Sequence, residues 1–289
     1  MIKTIFVPAS GTQSDHSVFA AALAVARPLG AHLDFYHQRM SACEAAIRLP
    51  PVQFVVGPAI THALDNLEQR DKDLSTTAIR HIEEFCAANK VSMRQNAGVT
   101  DHISASWTEE TDQAEARLMF HARHSDLVVV GRKHTNDLMP YKLTEWLLMG
   151  SGRPIVIAPA SEVTRVTGTV VVGWKETPEA ARSLAAALPL LIQADRVVLV
   201  SVDEDQAAPI NCLEHLAHQL QWHGIVAEPK ICRDKSSAVA ARLNRIAQEL
   251  HADLLVIGGY GHGRLREAVC DGVTRAFMER ADLPVFMAH

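Results

Sequence analysis

Short, wholly apolar runs alternate along the chain with longer stretches in which apolar residues recur every three to four positions, a pattern that predicts strands and helices in strict succession. Ile2 to Val7 reads as a strand, Ser14 onward as an alanine-rich helix ending at Pro28 and Gly30, and Ala31 to His37 as a second strand. Connections this short imply parallel strands with helices on the sheet faces. Met40 to Pro58, interrupted by Pro50-Pro51, reads as an irregular loop. From Thr61 to Asn89, Ala63, Leu64, Leu67, Leu74, Ala78, Ile82 and Phe85 fall at helical spacing, with Glu68, Arg70, Asp71, Lys72 and Asp73 expected to face water. Val91 to Gln95 is then expected as a strand, Thr111 to His124 as a helix, and Asp126 to Gly131 as a strand buried on both faces. Lys142 to Met149 is expected as a helix, and Ile155 to Ala158 as the strand that closes the set.

The pattern then restarts. Ser161 to Gly168 is polar and reads as a linker, and Thr169 to Gly173 is a new first strand. Pro178 sits at a helix start, Glu179 to Ile192 continues it, and Arg196 to Val202 is the next strand. Ile210 to His223 and Ser236 to Leu250 read as helices flanking a strand at Ile225 to Pro229, and Pro284 to Met287 ends the chain as a strand. The halves match in detail: Ser125–Gly131 aligns with Ala252–Gly258, and Arg153–Ile157 with Leu283–Met287. A repeat this long means duplicated domains, since a solenoid unit is usually under ~50 residues. The expected boundaries are 1–160 and 168–289.

Composition narrows the function classes. The 289 residues are 48% hydrophobic and 21% charged, and the formal net charge of -5 comes without any extended basic run, which argues against a nucleic-acid surface. The apolar stretch at the start is too short for a signal-peptide core, and no run approaches ~18 apolar residues, so a cytoplasmic chain without membrane partners is expected. Cys43, Cys86, Cys212, Cys232 and Cys270 are odd in number and lack C-x-x-C spacing, which points to neither disulfides nor zinc.

The chemistry concentrates in the last strand–loop–helix. Leu254 to Ile257 opens into Gly258-Gly259-Tyr260-Gly261-His262-Gly263, followed by Asp271-Gly272-Val273-Thr274 and a helix to Arg280. Closely spaced glycines leave backbone N–H groups unobstructed, and a helix start adds positive dipole, so the loop can hold phosphate. It is neither the Walker pattern nor the dinucleotide fingerprint, and the same glycines serve equally as a tight turn.

Taken with the restarted halves, the stretch Gly258 to Glu267, then Gly272-Val273-Thr274-Arg275 and Asp282-Leu283-Pro284-Val285, resembles the universal stress protein family in its tandem two-domain form. The resemblance implies an adenine-nucleotide α-hydrolase-like α/β fold: two tandem open five-stranded parallel sheets with helices on both faces. It further implies that the halves pair through their last strands within the chain, and it leaves room for a homodimer. ATP-binding members carry Gly-x-x-Gly, nine residues, then Gly-Ser or Gly-Thr, with an Asp after the first strand. Gly258 and Gly261 match the first pair, Asp271 stands where the third glycine belongs, and Gly272 stands in place of the hydroxyl. Lys175, next to Trp174, replaces the nucleoside-binding Asp, and Val202 matches the residue whose backbone reads adenine. The implied site is therefore Trp174, Lys175, Val202, Gly258, Gly261, His262, Gly263, Asp271, Gly272 and Val273, with ATP and Mg²⁺ as the implied ligands.

Asp271 opposes that site. At ~4 Å, two like charges cost about 1 kcal/mol in water and several times more in a partly buried cleft. Lys175, His262 and Arg264 offer compensating positive charge, and Thr274 a hydroxyl. The first half retains only Gly131 of the glycine pair, and Gly150-Ser151-Gly152 runs into Arg153-Pro154, which bars a long helix, so that half reads as a structural partner. Ser10 to Asp15 reads as a turn and helix cap. His121 and His124, like His215 and His218, have metal-pair spacing without a third ligand, and the four tryptophans read as packing residues. With no catalytic triad or carboxylate pair in view, the expected function is a universal stress response protein regulated by adenine nucleotide. The alternatives are a ligand-free interaction module of the same fold and a slow ATPase.

Overall fold

The structure, a computed structural model, describes residues 1–39, 58–96, 98, 102–111, 114–132, 143–202, 210–233, 238–260 and 267–289. Its strands are β1 (Thr4–Pro8), β2 (His32–Arg39), β3 (Ser92–Met93), β4 (Ser104–Thr111), β5 (Leu127–Gly131), β6 (Ile155–Ala158), β7 (Thr169–Gly173), β8 (Arg196–Val202), β9 (Ala227–Cys232), β10 (Leu254–Gly258) and β11 (Val285–Ala288). The helices between them are α1 (Ser14–Ala26), α2 (Pro58–Asn89), α3 (Ala114–Arg123), α4 (Leu143–Gly150), α5 (Pro178–Leu191), α6 (Ile210–Gln221), α7 (Val239–Glu249) and α8 (Glu267–Arg280).

The strands form one sheet in the order β3-β4-β2-β1-β5-β6-β11-β10-β7-β8-β9. Among the described strands every pairing is parallel except β6 with β11. There Val285, Phe286 and Met287 face Ile157, Val156 and Ile155, all six fully buried. The α/β architecture with helices on both faces is the expected one, and the two sets of strands are joined into a single sheet. One apolar cluster beneath the sheet takes its residues from α1, α2, α5 and α6, and a second, on the opposite face, from α3, α4 and α7 with Phe277 of α8.

The repeated Asp-Leu dipeptide has a physical role. Asp126 Oδ2 accepts from the backbone N–H groups of Lys3 (2.7 Å) and Thr4 (3.0 Å), fixing the start of β1 against β5. Asp253 Oδ2 accepts from Thr169 N (2.8 Å), doing the same for β7 against β10. Each carboxylate satisfies a donor at the strand's open end, where no ladder partner exists.

Three local expectations need correction. β4 was not foreseen, because its polar sequence Ser104 to Thr111 lacks an apolar run; it buries Ser104 and Ala105 and pairs with all eight residues of β2. The strand expected at Val91 to Gln95 shrinks to Ser92–Met93 and pairs only with β4. The last helix begins at Glu267 and not after Gly272, since one interior glycine costs only about 1 kcal/mol and does not stop a helix of otherwise compatible residues.

Candidate functional site

The site expected from sequence sits at the carboxyl ends of β8, β7 and β10, neighbours in that order. Register places Gly173 beside both Ile257 and Val200, so Trp174 follows directly between Gly258 and Ser201, with Val202 one residue further on. Trp174, Lys175, Val202 and Gly258 are thus drawn together, with Lys175 exposed and the other three half-buried. Gly261, His262 and Gly263 lie outside the described residues. Asp271, Gly272 and Val273 lie within α8, Gly272 exposed and Val273 half-buried.

The loop after β7 is built by short-range bonds. Thr177 N donates to Lys175 O at 2.7 Å, closing a tight turn, and Thr177 Oγ1 accepts from Ala180 N at 3.3 Å, capping α5, with Pro178 in the first turn. Glu176 Oε2 accepts from the Trp174 indole (3.3 Å) and from the Cys212 thiol (3.0 Å), tying the loop to α6. That hydrogen bond to a carboxylate raises the Cys212 pKa and keeps it a thiol, the unreactive form.

The glycines after β10 serve close packing. A Cβ on Gly258 would lie 2.7 Å from Ala180 N and 3.0 Å from the Glu179 carbonyl carbon, so only glycine lets α5 approach the strand end. Gly259 N donates to Ala288 O at 2.9 Å. Tyr260 takes a left-handed conformation (φ 45°), and its N–H donates to Thr274 Oγ1 at 3.2 Å, which spends the buried threonine on holding the loop against α8.

The equivalent loop of the first half, after β1, is packed against α2 at Gly11. Asp15 accepts from Ser10 N (2.8 Å), Ser10 Oγ (2.8 Å) and Gly11 N (2.9 Å), so the turn is held from inside α1, while Gln13 at the N-cap makes no side-chain cap. His81 of α2 reaches the same carboxylate at 3.3 Å. A Cβ on Gly11 would stand 2.2 Å from Leu74 O, so the backbone of α2 lies directly against this loop. Arg39 holds α2 through Asp71 at 3.3 Å, and His37 Nδ1 bonds Ala9 O at 2.8 Å. Asp71, expected to face water, is instead buried, because α2 lies against the end of β2 and Arg39 supplies its partner; sequence reasoning missed this polar seam.

Across the sheet, Glu110 accepts from Arg117 Nε at 2.6 Å, and that guanidinium holds its carboxyl below the ordinary glutamate range. A cleft of about 790 Å³ opens between α1, the end of α2 and the linker, lined by Thr12, Ser17, Phe85 and Glu162 among others. It lies apart from the strand ends of the second half, and its walls are the loop after β1 at Thr12 and Gln13, helix flanks and the linker. Among the described residues no group of three or more His, Cys, Asp or Glu side chains is arranged to hold a metal.

A mostly parallel α/β sheet with helices on both faces, its strands contributed by two similar halves of one chain, is the class that this fold defines. No protein-family profile and no curated protein matches the chain. Solved structures do: a universal stress protein from Archaeoglobus fulgidus DSM 4304 aligns over 99% of this chain and 95% of its own, with a TM-score of 0.67 at 13% identity. A functionally unknown protein from Pseudomonas aeruginosa PAO1 aligns over 99% and 92%, with a TM-score of 0.52 at 14% identity. At such identities the likeness is one of fold, and the chain has the fold of that universal stress protein from Archaeoglobus fulgidus.

Proposed function

We propose that the chain is a universal stress response protein of two domains, 1–160 and 168–289, which binds an adenine nucleotide through the second and uses the first as structural partner. The observation that carries this reading is the asymmetry between equivalent loops. The loop after β1 is packed against α2 at Gly11, whereas the loop after β7 leaves Lys175 exposed at the strand ends beside Val202 and Gly258. In this reading Val202 presents its backbone to adenine. Trp174 and Lys175 border the nucleoside and phosphates, and Gly258, Gly261, His262, Gly263, Asp271, Gly272 and Val273 line the polyphosphate with Mg²⁺ offsetting the charge of Asp271.

Calorimetric titration with ATP and Mg²⁺ tests the reading, together with mass spectrometry of any small molecule released on denaturation. One site per chain, weakened in Lys175→Ala and lost in a bulky replacement of Gly261, is expected. The packing of Gly258 against α5 supports a second reading, in which the glycines serve only the fold and the protein acts as a ligand-free interaction module. Absence of both binding heat and released nucleotide would decide for that module.

A further inference from the structure

The last turns of α3 and α4 meet on one face of the sheet. A Cβ on Gly150 would lie 2.7 Å from the Met119 methyl, so the two helix ends touch there. Arg123 donates through Nε (3.2 Å) and Nη2 (3.0 Å) to Gly150 O, and Arg153 donates through the same two nitrogens (3.1 and 3.0 Å) to Arg123 O. Each guanidinium thereby caps a helix C-terminus and is held in one orientation. The Nη1 edge of each is left over, and among the described residues neither is paired with a carboxylate. Next in sequence to this contact stand Phe120 and Met149, 46% and 48% exposed. The Phe120 ring is held in place, with the His124 ring at 4.2 Å and the Arg117 guanidinium 5.2 Å from its centroid.

The fold does not ask for this surface. In the second half the position aligned with Arg153 is Leu283, and at the same offset Met149 corresponds to Glu279, which pairs with Arg275 at 2.9 Å. Single exposed apolar side chains are ordinary. Two of them beside two pre-oriented guanidinia that lack a carboxylate, on a chain whose formal net charge is -5, form a local surface of opposite character.

We propose that the adjoining ends of α3 and α4 dock an acidic segment of another protein, whose carboxylates pair with Arg123 and Arg153 while its apolar side chains cover Phe120 and Met149. The Nη1 groups donate from fixed positions, which rewards a shaped partner over a fluid lipid headgroup. A membrane is further disfavoured because one Phe and one Met bury little apolar surface, and the net charge of the chain opposes an anionic bilayer. The same net charge opposes nucleic acid. A second copy meeting this surface with its own would set cation against cation. With only two apolar anchors, the contact is of the small, readily reversible kind.

The test is fluorescence anisotropy of the full chain with a labelled helical peptide of alternating Glu-Glu and Leu-Leu pairs, against the same peptide with Gln for Glu. It is run on wild type, Phe120→Ser/Met149→Ser, Arg123→Gln/Arg153→Gln, and Lys230→Gln, which removes an exposed charge from β9 at the far edge of the sheet. Gln keeps an amide donor for the capped carbonyls, and the Phe120/Met149 variant, changed only at exposed side chains, carries the test if the arginine pair is needed for folding. Wild type is expected to bind the Glu peptide about tenfold more tightly than the Gln peptide, and each double variant to lose about tenfold, with Lys230→Gln unchanged. No binding of the Glu peptide, or equal binding by all four proteins, overturns the proposal. So does binding of phosphatidylserine vesicles, or self-association in sedimentation, that disappears in the double variants; the first reassigns the patch to a membrane and the second to another copy. None of these results depends on nucleotide binding.

Discussion

Two glycines with nearly the same backbone show how tertiary contact decides what a residue is worth. Gly11 (φ 72°) and Gly152 (φ 67°) both occupy the left-handed region, but a Cβ at Gly152 meets nothing within 4 Å, whereas one at Gly11 meets Leu74 O at 2.2 Å. Alanine at Gly152 should therefore cost only backbone strain, about 1 kcal/mol. At Gly11 the strain adds to a clash with a helix backbone that cannot yield, for a loss of at least about 2 kcal/mol. Urea unfolding of Gly11→Ala and Gly152→Ala checks the contrast, and equal midpoints would mean that α2 does not press on the first loop. The glycine at 11 was legible as a turn. Its contact with a residue 63 positions away was not, since nothing local to the turn encodes which helix returns to cover it.

At the scale of elements, the seam between β2 and β4 carries a titration. His32 bonds Ser104 Oγ through Nδ1 (2.8 Å) and Ser106 Oγ through Nε2 (2.9 Å), and burial lowers its pKa despite the nearby charge of Asp34. A depressed folded-state pKa means that the unfolded chain binds the proton more tightly, so the stabilisation is present above the usual imidazole value of about 6.5 and is lost as pH falls through the folded value. Denaturant midpoints should decline below about pH 6.5, and the decline should be shallower in His32→Asn; an identical profile in the variant would remove His32 as the cause. β4 itself was hidden from sequence, because alternation between Ala105, Trp107 and polar neighbours over so short a span does not rise above loop composition. The long helix before it was legible, because its apolar stripe repeats over many turns.

At the scale of the molecule, the antiparallel contact of β6 with β11 is the covalently remote joint between the halves, and its three facing pairs are fully buried. Phe286→Ala should lower stability by about 3–5 kcal/mol, the usual range for emptying a buried aromatic site. Val156→Asp places an unpaired charge in the same seam. In scanning calorimetry it should split one cooperative transition into two, whereas a single lowered transition would show that neither half holds its fold without the other. The sequence by itself determined the alternation of strand and helix, which depends on local periodicity, and the duplication, which shows as two like stretches; the register of β7 against β8 and β10 is what draws Trp174, Lys175 and Gly258 together. The resemblance already implied that the halves pair through their last strands; only the tertiary structure decided that α2 packs on the first loop at Gly11, and that Glu179 Oε2 has no hydrogen-bond partner among the described residues where both oxygens of Asp15 are held. Those outcomes depend on which surfaces meet across long stretches of chain, and such meetings are set by burial and packing of the whole fold.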